Sequence, residues 1–221
     1  QEVTVKGVVT ASTKIGDLGY LYIQDETGSA WSGIWCVGIG LNQFYRNEEI
    51  EVTGVVEEYY GMTRLNVSAA NKTGNLGTVS ATVLDPSDSA SYANFGWEPY
   101  ESMFIRYEQP NGKLHISQTN LGFGDYAVSS SNTAALSRSG RVLAGRQSTT
   151  AYSSLDVQLV TDTSYSSLDG EMNVMPIVVS DTMTFDAIEG ILYYGFSNFR
   201  LIPRNNNDFI GANATLDSNT V

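Results

Sequence analysis

Turn signals cut the first 72 residues into short runs in which apolar and polar side chains alternate with a period of two, and that pattern calls for strands. Five strands are expected, at Val3 to Ala11, Tyr20 to Asp25, Ala30 to Val37, Ile50 to Tyr59 and Met62 to Val67. Asp25-Glu26-Thr27-Gly28 and Tyr60-Gly61 supply hairpin turns, and Gly40 to Tyr45 leaves room for one helical turn between the third and fourth strands. Apolar residues at 42% and charged residues at 16%, with abundant Gly, Ser, Thr and Asn, suit a turn-rich β protein rather than a helical bundle.

The second half is looser. Strands are expected at Ser102 to Glu108, Leu114 to Gln118, Asp125 to Ser129, Met172 to Val179 and Ile188 to Tyr194. Residues 1–72 form a first domain, the polar run 73–80 a linker, 81–210 a second domain with a Ser/Thr-rich insertion at about 130–169, and 211–221 a tail. One stretch echoes another: Gly54-Val55-Val56-Glu57-Glu58-Tyr59-Tyr60-Gly61 ends at Arg64-Leu65, and Gly190-Ile191-Leu192-Tyr193-Tyr194-Gly195 ends at Arg200-Leu201. In both, Arg-Leu follows ten residues after the opening glycine, so one hairpin design is used twice. Five strands with an element between the third and fourth is the OB plan. The expected fold is therefore all-β: tandem OB-like five-stranded barrels, the second carrying a long loop-rich insertion.

Three blocks carry a family likeness: Val5-Lys6-Gly7-Val8-Val9-Thr10, Gly19-Tyr20-Leu21-Tyr22-Ile23-Gln24-Asp25 and Ile50-Glu51-Val52-Thr53-Gly54-Val55-Val56-Glu57. On them, the first half resembles the OB-fold accessory domains of bacterial secreted nucleases and related exported proteins. The segment from Ile188 to Tyr194, followed by Arg200-Leu201-Ile202-Pro203-Arg204, looks like the closing strands of a second such domain. The resemblance implies a binding module that in such proteins precedes a metal-dependent phosphodiesterase domain. These 221 residues hold no counterpart of that catalytic domain.

Catalytic groups are scarce. The one histidine, His115, lies in Leu114-His115-Ile116 and reads as a strand residue without a base or ligand partner. No Gly-x-Ser-x-Gly elbow occurs, and Gly122-Phe123-Gly124-Asp125 reads as a turn rather than a phosphate cradle. Asp85-Pro86-Ser87-Asp88, Asp181 and Asp186 offer hard oxygens for Ca2+ but lack the spacing of a calcium loop. Twenty-four acids permit many glycosidase-like pairings, so spacing alone decides nothing there. Cys36 is the one cysteine; no internal disulfide can form, and a buried thiol is expected. The reading is a protein that is not an enzyme.

A net charge of -12 repels a polyanion at long range, so nucleic acid could be held only by a local patch. The candidate patch is aromatic: Tyr20, Tyr22, Trp31 and Trp35 on the second and third strands, Tyr59 and Tyr60 with Arg64 at one hairpin, and Tyr193 and Tyr194 with Arg200 at its echo. No apolar run of bilayer length occurs, and the opening at Gln1, directly before a strand, suggests a mature secreted chain. The function expected first is an extracellular structural subunit, a fibre or matrix component that forms a homo-oligomer or polymer, with the tail from Gly211 folding back or adding as a strand to a neighbour. The alternative is an accessory module for single-stranded nucleic acid or glycan.

Overall fold

The structure is a computed structural model and describes residues 2–14, 17–85, 97–122, 125–129, 154–158, 182–195 and 198–213. The fold is all-β. The first five strands, β1 (Glu2–Ala11), β2 (Leu21–Gln24), β3 (Gly33–Gly38), β4 (Glu48–Tyr59) and β5 (Met62–Leu76), close into a barrel in the order β1-β2-β3-β5-β4. Neighbours are antiparallel except β3 and β5, which run parallel from Trp35 opposite Arg64 to Gly38 opposite Val67. Alternation fills the interior with Val9, Leu21, Ile23, Cys36, Ile50, Val52, Leu65 and Val67. Each aliphatic side chain sealed there contributes about 2 kcal/mol.

Local chemistry sets the turns. Asp25 accepts the Thr27 N–H at 2.8 Å on its carboxylate, and that backbone N–H, with the Thr27 hydroxyl, lowers the Asp25 pKa. The single turn expected between the third and fourth strands is a 3-10 turn, Leu41–Gln43, which buries Leu41 and is followed by buried Phe44. Between β4 and β5 the chain reverses over Tyr60 and Gly61, with φ of 52° and 84°. Two left-handed residues in succession make the type I′ geometry that matches strand twist.

Among the described residues the other nine strands are β6 (Thr82–Leu84), β7 (Phe104–Glu108), β8 (Leu114–Gly122), β9 (Asp125–Ser129), β10 (Ser154–Gln158), β11 (Thr184–Phe185), β12 (Ala187–Gly195), β13 (Asn198–Ile202) and β14 (Phe209–Ile210). They form one sheet in the order β11-β8-β9-β10-β13-β12-β7-β6, with β14 added beside β12. This corrects the expectation of a second five-stranded barrel: among the described residues the path is open, because β8 pairs with β9 and β11. Within it, however, β7-β12-β13-β10-β9 repeats the barrel path β1-β4-β5-β3-β2 pair for pair, including one parallel pair, β10 with β13. A core of Trp97, Met103, Ile105, Tyr107, Leu114, Ile116, Phe185, Ile188, Leu192 and Leu201 backs this sheet.

Several boundaries differ from the sequence reading. β5 runs on to Leu76, so residues 73–76, expected in the linker, are strand; the ladder with Glu48 and Ile50 overrides their low β propensity. β10 lies inside the expected insertion, 130–169, and the rest of that stretch, the strand expected at Met172 to Val179 and tail residues 214–221 lie outside the described residues.

Candidate functional site

The aromatic residues singled out by sequence do meet, but mostly not at a free surface. Tyr22, Trp35, Arg64 and Glu57 occupy successive register positions across β2, β3, β5 and β4, which sets them in one row. Tyr22 stacks on Trp35 with ring centroids 6.4 Å apart, Tyr20 meets Trp35 edge-on at 6.0 Å, and Tyr59 meets it at 6.2 Å. The Arg64 guanidinium sits 3.8 Å over Tyr59 and 5.4 Å from Trp35 while pairing with Glu57 at 2.7 Å. That pairing spends the one cation of the row.

The second sheet covers this face. Ala11, Tyr22 and Met62 are sealed against Phe104, Ile191 and Ile202, with Tyr20, Trp35, Tyr193 and Tyr194 packed around them. Tyr20, Tyr22 and Trp35, candidates for ligand contact by sequence, are not an open platform: Tyr22 is fully buried, and Tyr20 and Trp35 are half-buried. The Trp35 indole N–H is buried without a hydrogen-bond partner. Arg200, a candidate binding residue by sequence, is buried and donates to the Gly195 carbonyl at 2.5 Å. Tyr193 and Tyr194 are half-buried, Tyr194 tilted on Phe199 at 4.8 Å and lodged over Gly61.

Three candidates stay open: Trp31, Tyr59 and Tyr60, at 64%, 43% and 83% exposure. Tyr60 takes its left-handed φ although Asn or Gly suits that turn position better, a local strain of about 1 kcal/mol. Its ring meets Tyr59 edge-on at 4.7 Å, so the tip is a two-tyrosine knob.

Polar contacts lock the junction that sequence reasoning missed. The Phe104 N–H donates to the Gln24 side-chain oxygen at 2.7 Å, the Trp31 N–H to the Pro99 carbonyl at 2.6 Å, and the Thr63 N–H to a Glu101 carboxylate oxygen at 2.8 Å. Arg204, chelated by Asp208 at 2.9 Å, reaches the Thr10 carbonyl at 3.1 Å and stacks 3.6 Å over Phe104. The close approach needs Gly33, where a Cβ would strike the Ser102 carbonyl. The glycine at position 33 and the carboxyl at 101 were the available signals, but neither belongs to a recognisable motif.

Other candidates sort by position. His115 lies on β8, opposite Thr184 and Ser129. Cys36 is buried, which pushes its thiol up to about 12. Asp186 pairs with Lys113, and Pro86 to Asp88 and Asp181 lie outside the described residues. Among the described residues no group of three or more His, Cys, Asp or Glu side chains is gathered for a metal, and no helix is long and apolar enough to cross a membrane. Compared with protein-family models, curated proteins and solved structures, the chain finds no match.

Proposed function

We propose that this chain is a non-catalytic extracellular structural subunit, built from two related OB-like modules, that assembles with copies of itself by strand addition. The shared strand order, with a parallel pair at the matching place in each path, β3 with β5 and β10 with β13, supports the OB-like kinship. The covered aromatic row supports a structural over a ligand-binding use of that face, because the surface an OB fold offers to bases or sugars is taken up in docking.

One observation carries the self-assembly reading: among the described residues the ribbon β1-β4-β5 has two edges without a strand partner. β5 leaves β3 at Val67, and from Ser68 to Leu76 its one strand partner among the described residues is β4, with every residue there exposed or half-exposed. β1 meets β2 only from Val8 onward, so among the described residues the strand partner of Glu2 to Gly7 is β4 alone. Bare strand edges template pairing with another strand, and edges on opposite sides of one ribbon let β5 of one copy continue onto β1 of the next. Such head-to-tail contact does not close and gives a filament.

The sign of the salt effect tests this. Copies carrying a charge of -12 repel one another, so raising salt from about 0.02 M to about 0.5 M should drive assembly in sedimentation experiments. Neighbouring strand residues turn their N–H groups to opposite edges, so one of Ala70→Pro and Asn71→Pro should give a folded monomer. A wild-type chain that remains monomeric at high salt and high concentration defeats the proposal. Single-stranded DNA binding that weakens with salt, and that Tyr59→Ala with Tyr60→Ala abolishes, would favour the accessory-module alternative.

A further inference from the structure

The junction between barrel and sheet contains a carboxyl group, Glu101, that makes no ion pair among the described residues. Glu101 is 8% exposed; one carboxylate oxygen accepts the Thr63 N–H, and the other is buried without a hydrogen-bond partner. It sits in the segment 98–104 that holds the two sheets together through Trp31 to Pro99, Gln24 to Phe104 and the Gly33–Ser102 approach. Ser102 beside it is left-handed, with φ of 63°, and its buried hydroxyl has no partner. A segment so strained and so poorly satisfied holds its place only while its neighbours stay packed.

The surrounding charges do not help an anion there. The two carboxylates that reach Glu101 are Glu98 on its own segment and Glu58 on β4. On β5, Arg64 is turned to Glu57 and to the Trp35 and Tyr59 rings. On the β2–β3 turn, Asp25 caps Thr27 and Glu26 accepts the Thr78 N–H; on β12, Glu189 is paired with Arg106 at 2.9 Å. Arg64 and Arg106 are thus engaged by other carboxylates.

We propose that Glu101 is a proton-operated latch between the barrel and the second sheet: neutral, it lets the segment 98–104 stay docked, and ionised, it loosens it. Burial pushes the carboxyl up to about 8, with the Thr63 N–H pulling it down and Glu98 and Glu58 raising it further. A carboxyl raised on docking binds its proton more tightly in the docked state. Docking is therefore strongest below the ordinary carboxylate range, weakens as pH rises toward about 8, and changes no further above that. The latch tightens in acid, and it stands apart from the self-assembly reading.

Hydrogen exchange at the Thr63 amide, corrected for its intrinsic rate, tests it on the whole chain. Protection should fall by up to about tenfold per pH unit between pH 5 and 8 in the wild type. Glu101→Gln, neutral at every pH, should flatten that dependence. Glu98→Gln should move the pH at which protection stops falling to a lower value, and it remains readable even if Glu101→Gln folds poorly. Protection that is independent of pH in the wild type, or a dependence that survives Glu101→Gln, overturns the proposal.

Discussion

The hairpins β4–β5 and β12–β13 are the same object in two settings. Glu57 faces Arg64 as Tyr193 faces Arg200, Val56 faces Leu65 as Leu192 faces Leu201, and Val55 faces Asn66 as Ile191 faces Ile202. The opening glycines agree too: a Cβ at Gly54 would strike the Asn66 carbonyl, and one at Gly190 the Ile202 carbonyl, each twelve residues on. Yet the arginines have opposite fates. Arg64 lies over tyrosine and tryptophan rings with a carboxylate partner, whereas Arg200 is buried and bonds its own hairpin's Gly195 carbonyl. The difference teaches that repeated sequence reproduces backbone register, while the face each copy turns to the junction decides what its side chains do.

The hardest test of this equivalence is to fill both glycines. Gly54→Val and Gly190→Val should each cost about 3 kcal/mol in urea unfolding, by the same overpacking against a carbonyl. A large cost at only one would show that the two hairpins are alike in register but not in packing. Next, the arginines should separate. Arg200→Ala should cost about 2 kcal/mol, since it removes a buried charge-assisted hydrogen bond, while Arg64→Ala should cost under about 1 kcal/mol because its ion pair is partly solvated. Equal costs would erase the distinction drawn here. The smallest effect has the opposite sign: Tyr60→Asn should raise stability by about 1 kcal/mol by relieving the left-handed tyrosine at the turn. A loss of stability would mean that the Tyr59–Tyr60 contact outweighs that strain.

Much of the barrel was legible. Period-two alternation located all five strands, and the Asp25–Gly28 and Tyr60-Gly61 signals located two turns, because those positions obey local rules of φ and hydrogen bonding. β9, Asp125–Ser129, matched its expected bounds, while β5 outran its own, since a ladder partner extends a strand that propensity alone would stop. The candidate site was legible as a set of residues and illegible as a surface. Tyr22 alternates like an exposed barrel residue because it does point out of the barrel, and the second sheet then buries it.

By itself the sequence determined the elements and their pairing logic: which runs are strands, where they turn, that one hairpin is repeated, and that charge stands against a polyanion partner. Those properties depend on neighbours a few residues apart, or on sums over the chain. Only the tertiary structure decided that the barrel's aromatic face is an internal junction, that β1 and β5 keep edges unpaired among the described residues, and that Glu101 is buried beside Glu98 and Glu58. Burial and like-charge proximity are set by residues far apart in the chain, such as Thr63 and Glu101, and no local pattern encodes their meeting.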